Sequence, residues 1–277
     1  MRESDFHWLV GIVEGEGTFT VPRDAPRRSP ALRVTMTDAD VLQRVAGLFD
    51  RAVVALGRRE DRFKDDYATA IKGAPAVQLM SEMRPFLGPT RRRQIQRVLD
   101  AWRPRRRAQE RFRRDPVAID ASLCNASCDQ AWLAGLLEGE GSFGIQRSDG
   151  NSYPLIKVEM SEADIVRRAA ELMGAPSLQT RAPRKAHWRT TYVAAVAGER
   201  AAVWMRSLAP LMGDRRSRSI ARALTEYRSI RLTTAPARCV VPGCEQPHRS
   251  RGLCHKHYMS WSRDVARGRE PRVSGLR

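Results

Sequence analysis

Trp8 to Phe19 reads WLVGIVEGEGTF, and Trp132 to Phe143 reads WLAGLLEGEGSF. Eight of the twelve positions are identical, and the offset of 124 residues persists downstream, where MTDADV (Met36 to Val41) answers MSEADI (Met160 to Ile165). A repeat of this length at this spacing means two copies of one small domain in one chain. In the first copy Trp8, Leu9, Val10, Ile12 and Val13 predict an apolar helix starting near Asp5, with Ser4 or Asp5 as its cap. Gly11 and Gly15 lie four apart on one face, as do Gly135 and Gly139. A glycine inside a helix costs about 1 kcal/mol relative to alanine. Four of them at matching places imply that two backbones approach closely along these faces. Gly17 and Gly141 are expected to end the helices, so Glu16 and Glu140 should meet at the bottom of a two-fold interface. Paired carboxylates repel unless protonated or metal-bound, and hard divalent cations favour such oxygen ligands. Two such metals activate water and stabilise the leaving oxygen in phosphodiester cleavage.

LVGIVEGEG (Leu9 to Gly17) and LAGLLEGEG (Leu133 to Gly141) resemble the two motifs of a LAGLIDADG homing endonuclease of the single-chain, double-motif type. The eighth motif residue, the metal-binding acid of that family, falls on Glu16 and Glu140, with Glu where the family name has Asp. The resemblance covers about residues 4 to 232. It implies an α+β fold of two tandem αββαββα repeats related by a pseudo-two-fold, with antiparallel, saddle-shaped sheets lying over double-stranded DNA. It also implies Mg2+ as the active-site cofactor and an origin in a mobile genetic element.

Lysine and arginine outnumber acids 49 to 31, a net charge of +18. Arginine dominates, and its planar fork suits phosphate oxygens and guanine edges, so the excess points to nucleic acid. No run approaches the length of a membrane span and no signal peptide opens the chain. A reducing, cytoplasmic location is expected from cysteines that read as metal ligands rather than disulfides.

Period-two alternation places Phe19, Val21, Leu32, Val34 and Met36 inward, and Thr18, Thr20, Arg33 and Thr35 outward. In the second copy Phe143 and Ile145 point inward, Gln146 falls outside, and Lys157 matches Arg33. Helices are expected at Asp38 to Phe49, Glu162 to Met173, Ala74 to Met83 and Arg200 to Leu208. Strands are expected at Val53 to Arg59 and Tyr67 to Lys72. The DNA-reading surface should then comprise Arg33, Arg62, Lys64 and Lys72 from the first copy, and Gln146, Arg147, Lys157, Arg181, Lys185 and Arg189 from the second. After Pro85 and Pro210 come helices at Thr90 to Trp102 and Arg215 to Tyr227. Members of the resembled family place a basic residue near the scissile phosphates shortly after this proline. Aligning Leu99 with Leu224 pairs Arg91 with Arg216 for that catalytic role, with Arg92 and Arg215 as alternatives.

Four segments follow: residues 1–103 and 128–235 as the repeats, 104–127 as a basic linker, and 236–277 as a small C-terminal module. Cys124 and Cys128, without histidines near them in sequence, read as ordinary thiols. In the module, Cys239, Cys244, Cys254 and His257 offer two ligand pairs within about twenty residues, the pattern of a tetrahedral Zn2+ site. His248 and His255 are alternative fourth ligands. Gly243 and Gly252 sit beside the ligands, where tight turns are needed. The stretch from Cys239 to Trp261 resembles zinc-binding segments appended to phage and mobile-element endonucleases. The chain therefore reads as a monomeric endonuclease that makes a double-strand break in a long, non-palindromic DNA target. The competing reading is a maturase or a DNA-binding regulator without cleavage activity.

Overall fold

The computed structural model describes residues 1–21, 29–57, 65–102, 126–148, 151–183, 185, 187, 189–227 and 236–273. Residues 104–125 of the basic linker, Cys124 among them, and Arg62 and Lys64 lie outside the described residues. The chain divides into two units, Met1–Tyr227 and Arg228–Arg277.

In the first unit each repeat runs helix, two strands, helix, two strands, two helices. The first repeat comprises α1 (Glu3–Glu16), β1 (Gly17–Thr20), β2 (Ala31–Met36), α2 (Ala39–Phe49), β3 (Val54–Gly57), β4 (Asp66–Lys72), α3 (Ala74–Met83) and α4 (Pro89–Ala101). The second comprises α5 (Ala126–Glu140), β5 (Gly141–Ser148), β6 (Asn151–Met160), α6 (Ala163–Met173), β7 (Leu178–Arg181), β8 (Thr191–Ala197), α7 (Glu199–Leu208) and α8 (Asp214–Glu226). The proline at Pro85 or Pro210 lies in a short 3-10 turn between the last two helices of its repeat. The result is a mixed α+β body with two four-stranded antiparallel sheets, ordered β1-β2-β4-β3 and β5-β6-β8-β7.

The two sheets share one register. Thr18 pairs with Arg33 and Arg33 with Ala70; Ser142 pairs with Lys157 and Lys157 with Ala195. Leu32, Val34, Ile156 and Val158 point to the helices and are fully buried, while Arg33 and Lys72 share the outer face. Among the described residues no helix is long and apolar enough to cross a membrane.

α1 and α5 pack directly against each other and form the centre of one continuous apolar core. A Cβ built on Gly11 would stand 2.1 Å from the carbonyl oxygen of Trp132, and one on Gly135 would stand 2.0 Å from that of Trp8. Two turns of bare backbone are therefore in contact, and neither position tolerates any side chain. The glycines that close the helices act otherwise than the sequence suggested. Gly17 has φ −74° and ψ 138°, an extended conformation open to any residue, not a left-handed cap. What excludes a side chain is space: a Cβ there would lie 2.5 Å from the Val13 carbonyl oxygen, and one on Gly141 would lie 2.6 Å from that of Leu137.

Candidate active site

The last turns of α1 and α5 bring the two repeated acids together. A Cβ on Gly15 would lie 2.9 Å from Cγ of Glu140, and one on Gly139 would lie 3.1 Å from Cγ of Glu16. Each glutamate thus rests on the glycine face of the opposite helix. Both carboxyls are half-buried and held above the usual carboxylate range. Burial is the main cause at both; repulsion from Glu140 adds to it at Glu16, and repulsion from Glu162 adds to it at Glu140. A divalent cation fits this donor set: two hard oxygen ligands whose negative charge is poorly compensated by solvent.

Arg91 and Arg216 occupy equivalent places. Arg91 Nε donates to the Glu14 carbonyl (2.9 Å) and its Nη2 to the Gly15 carbonyl (2.7 Å). Arg216 Nε donates to the Glu138 carbonyl (3.2 Å) and its Nη2 to the Gly139 carbonyl (3.1 Å). Each guanidinium closes the C-terminal end of a motif helix, where positive charge is favoured. Both arginines act on both acids, favouring the ionised carboxylates against burial. The sequence alternatives go elsewhere. Arg92 donates to the carbonyls of Leu87 and Pro85, and Arg215 pairs with Asp38 at 2.6 Å.

Sequence reasoning passed over Glu14 and Glu138, two residues before the paired acids. They are 1% and 0% exposed. Glu14 Oε2 accepts the N–H of Gly88 (2.9 Å), and Glu138 Oε2 accepts the N–H of Gly213 (2.8 Å). Those glycines precede Pro89 and Asp214, the first residues of α4 and α8, which carry Arg91 and Arg216. A buried acid thus anchors the start of each arginine-bearing helix. Burial drives Glu14 up to about 7 against the opposing Gly88 hydrogen bond, and it raises Glu138 likewise. The available signal was their recurrence at the same offset of 124.

The residues expected to read DNA are distributed unevenly. Arg33, Lys72, Gln146, Arg181, Lys185 and Arg189 are exposed. Lys157 is half-buried and pairs with Glu159 (2.5 Å), which also holds Arg181 (2.9 Å). Arg147 alternates with Phe143 and Ile145, so it lies on the helix side of its sheet, opposite Gln146, where it pairs with Glu226 of α8 at 3.0 Å.

In the second unit, Cys239, Cys244, Cys254 and His257 place one ligand atom each within 4.8 Å of one another. Cys239 Sγ lies 3.2 Å and Cys254 Sγ 3.5 Å from His257 Nδ1, and Cys244 Sγ lies 3.8 Å from Cys254 Sγ. A tetrahedral ion with metal–sulfur bonds of about 2.3 Å has ligand edges of about 3.8 Å, so the set fits zinc. Gly243 and Gly252, both at φ 75°, make the left-handed turns beside the ligands. α9 (His255–Ala266) presents His257, while the imidazole of His255 meets Arg249 instead. His248 is outside the cluster.

No protein-family model matches the chain, and no curated protein sequence matches it. Solved structures do. The LAGLIDADG meganuclease I-AabMI, bound to uncleaved DNA, is 12% identical with a TM-score of 0.50, covering 79% of this chain and 89% of that one. I-SmaMI, bound to an uncleaved DNA target in the presence of calcium ions, is 13% identical with a TM-score of 0.46, covering 79% and 90%. The LAGLIDADG homing endonuclease I-LtrWI, bound to target DNA, is 14% identical with a TM-score of 0.42, covering 82% and 85%. What the likeness to I-AabMI establishes for this chain is its fold.

Proposed function

We propose that the chain is a site-specific, divalent-metal-dependent DNA endonuclease that makes a double-strand break in a long, non-palindromic target. The observation that carries this reading is the pairing of Glu16 and Glu140 across a bare backbone contact, each beside an arginine-closed helix end. Glu16 and Glu140 would hold Mg2+, which supplies an activated water and stabilisation of the leaving oxygen. Arg91 and Arg216 hold positive charge beside the acids and the scissile phosphates. Glu14 and Glu138 position the helices from which these arginines reach. Arg33, Lys72, Gln146, Lys157 and Arg181 share the outer sheet faces and would meet duplex DNA, with Lys185 and Arg189 beside them. Two unlike halves in one chain suit an asymmetric target and a monomer.

The domain division that goes with this reading is 1–103 and 128–235 for the repeats, 104–127 for the linker and 236–277 for the module. The module would bind one structural Zn2+ through Cys239, Cys244, Cys254 and His257. From Arg238 onward it carries nine basic residues against three acids, which suits an accessory DNA contact. Three thiolate ligands need a reducing compartment, which supports a cytoplasmic location.

The test is cleavage of a randomised duplex library with Mg2+, followed by sequencing of the cut ends. Glu16→Gln and Glu140→Gln should each abolish double-strand cleavage while DNA binding survives. Wild-type cutting of both strands by either variant would refute the assignment of the acids. Binding to DNA with no cutting of any library member would favour a regulator or maturase.

A further inference from the structure

The opposite end of the α1–α5 pair carries a second cluster of metal-ligating groups. Glu3 and His7 lie on the first two turns of α1, and Cys128 lies on the first turn of α5. One ligand atom from each lies within 4.8 Å of the other two. Cys128 Sγ and Glu3 Oε1 are 3.3 Å apart. His7 and Cys128 are each 1% exposed, while Glu3 faces solvent. The fourteen residues from Glu3 to Glu16 span about 20 Å of helix, which separates this cluster from the paired acids. The sequence shows no histidine near Cys128, but in the fold Cys128 has His7 beside it. Its histidine stands 121 positions away in sequence and reaches it only through the helix pairing.

The cluster breaks a symmetry that its surroundings keep. Asp5 and Asp129 are equivalent, as are Trp8 and Trp132. Arg44 binds Asp5 (3.1 Å) and stacks 3.8 Å over Trp8; Arg168 binds Asp129 (3.0 Å) and stacks 3.9 Å over Trp132. At the offset of 124, however, the counterparts of Glu3, His7 and Cys128 are Ser127, Ala131 and Ser4. Packing alone is satisfied by serine and alanine on one side of the two-fold. On the other side three ligand-bearing residues converge instead, two of them buried.

We propose that Glu3, His7 and Cys128 form a site for a zinc-like divalent ion that staples the first repeat to the second. Thiolate, imidazole and carboxylate together suit a borderline cation, and one thiolate plus one carboxylate neutralise its two charges. Glu3 is exposed and on the first helical turn, so rotation of its side chain closes the set around the ion. Its solvent side leaves a fourth position for water. This inference concerns a site remote from Glu16 and Glu140 and stands or falls independently of the nuclease reading.

Elemental analysis of the full chain, purified without chelators, tests it. Wild type should carry two zinc per chain, and Cys128→Ser should carry one. A Cys239→Ser, Cys244→Ser, Cys254→Ser variant, with the tail site disabled, should also retain one. Cobalt(II) titrated into that triple variant should produce a thiolate-to-metal absorption band. Adding Cys128→Ser should remove the band, and adding Glu3→Gln, at an exposed position, should weaken cobalt affinity at least about tenfold. Equal zinc in wild type and Cys128→Ser overturns the proposal. So does a band that survives Cys128→Ser, or cobalt affinity unchanged by Glu3→Gln, which decides the matter if Cys128→Ser does not fold.

Discussion

The C-terminal ends of α1 and α5 carry the same groups in both repeats, whereas their N-terminal ends have diverged. At the first, Glu14, Glu16 and Arg91 are answered by Glu138, Glu140 and Arg216 with matching hydrogen bonds. At the second, Glu3, His7 and Cys128 face one way and Ser127, Ala131 and Ser4 the other. On the function proposed above, one reaction on each of two DNA strands would need its chemistry twice. Where only packing is required, small residues suffice, and one side of the axis is released to acquire a different use.

The contact common to both ends is the most sensitive point for breaking this arrangement. Gly11→Val and Gly135→Val each drive a branched side chain into a backbone carbonyl, so each should cost at least about 3 kcal/mol and lower the thermal midpoint of the repeat body. Gly144→Ala, where a Cβ meets nothing within 4 Å, should leave the midpoint nearly unchanged. Two valine variants melting like wild type would separate the helices from the assumed axis.

Next in size is the arginine pair. Arg91→Ala and Arg216→Ala should each reduce cleavage about a hundredfold, or nearly 3 kcal/mol in barrier, with DNA affinity changed far less. Strand-specific nicking assays sharpen the comparison, because symmetric ends predict losses of similar size on opposite strands. A large loss from one variant and none from the other would mean that the repeats have diverged here too.

The buried anchors come third. Glu14→Ala and Glu138→Ala each leave the N–H of Gly88 or Gly213 without its acceptor and should lower stability by about 1–3 kcal/mol in denaturant titrations. The glutamine variants keep an acceptor and should lose less. Equal stability of alanine and glutamine variants would remove the anchoring role.

The smallest effect lies on the outer sheet faces, where Glu159 stands at the position equivalent to Thr35. Its hydrogen bond from Lys157, then that from Thr191, holds its carboxyl below the ordinary value of 4.5. A lowered folded value means that the contribution to stability is fully present above about pH 4.5 and is lost as pH falls below that and through the lower folded value. Glu159→Gln should therefore cost under about 1 kcal/mol at neutral pH and nothing in strong acid. Melting curves across that range check the sign. The same change releases Lys157 and Arg181 and should steepen the salt dependence of DNA binding.

Much of the fold was legible because it rests on local periodicity repeated at one offset. The helix from Ala74 to Met83 was bounded correctly, and the inward set Leu32, Val34 and Met36 is buried as the alternation required. Arg91 and Arg216 could be paired from alignment alone. What escaped depends on contacts between distant segments. Glu14 meets its partner Gly88 only after six intervening strands and helices have folded, and His7 meets Cys128 only across the axis. Arg147 continues the alternation of Phe143 and Ile145 yet is charged and exposed, so its side of the sheet is set by strand register while its side chain suggests the other. The extended geometry of Gly17 was equally hidden, since glycine serves crowding and left-handed turns alike.

The bare meeting of α1 and α5 at Gly11 and Gly135 also behaves as a gauge. Side chains can lengthen, shorten or change rotamer, but touching backbones have no such adjustment, so the spacing between Glu16 and Glu140 is set by the diameter of the peptide chain itself. On the proposed reading, substitutions on the outer sheet faces would shift which bases are preferred without moving one acid relative to the other. For the nuclease proposed above, target preference would then drift through such changes while the stagger between the two cuts stayed constant.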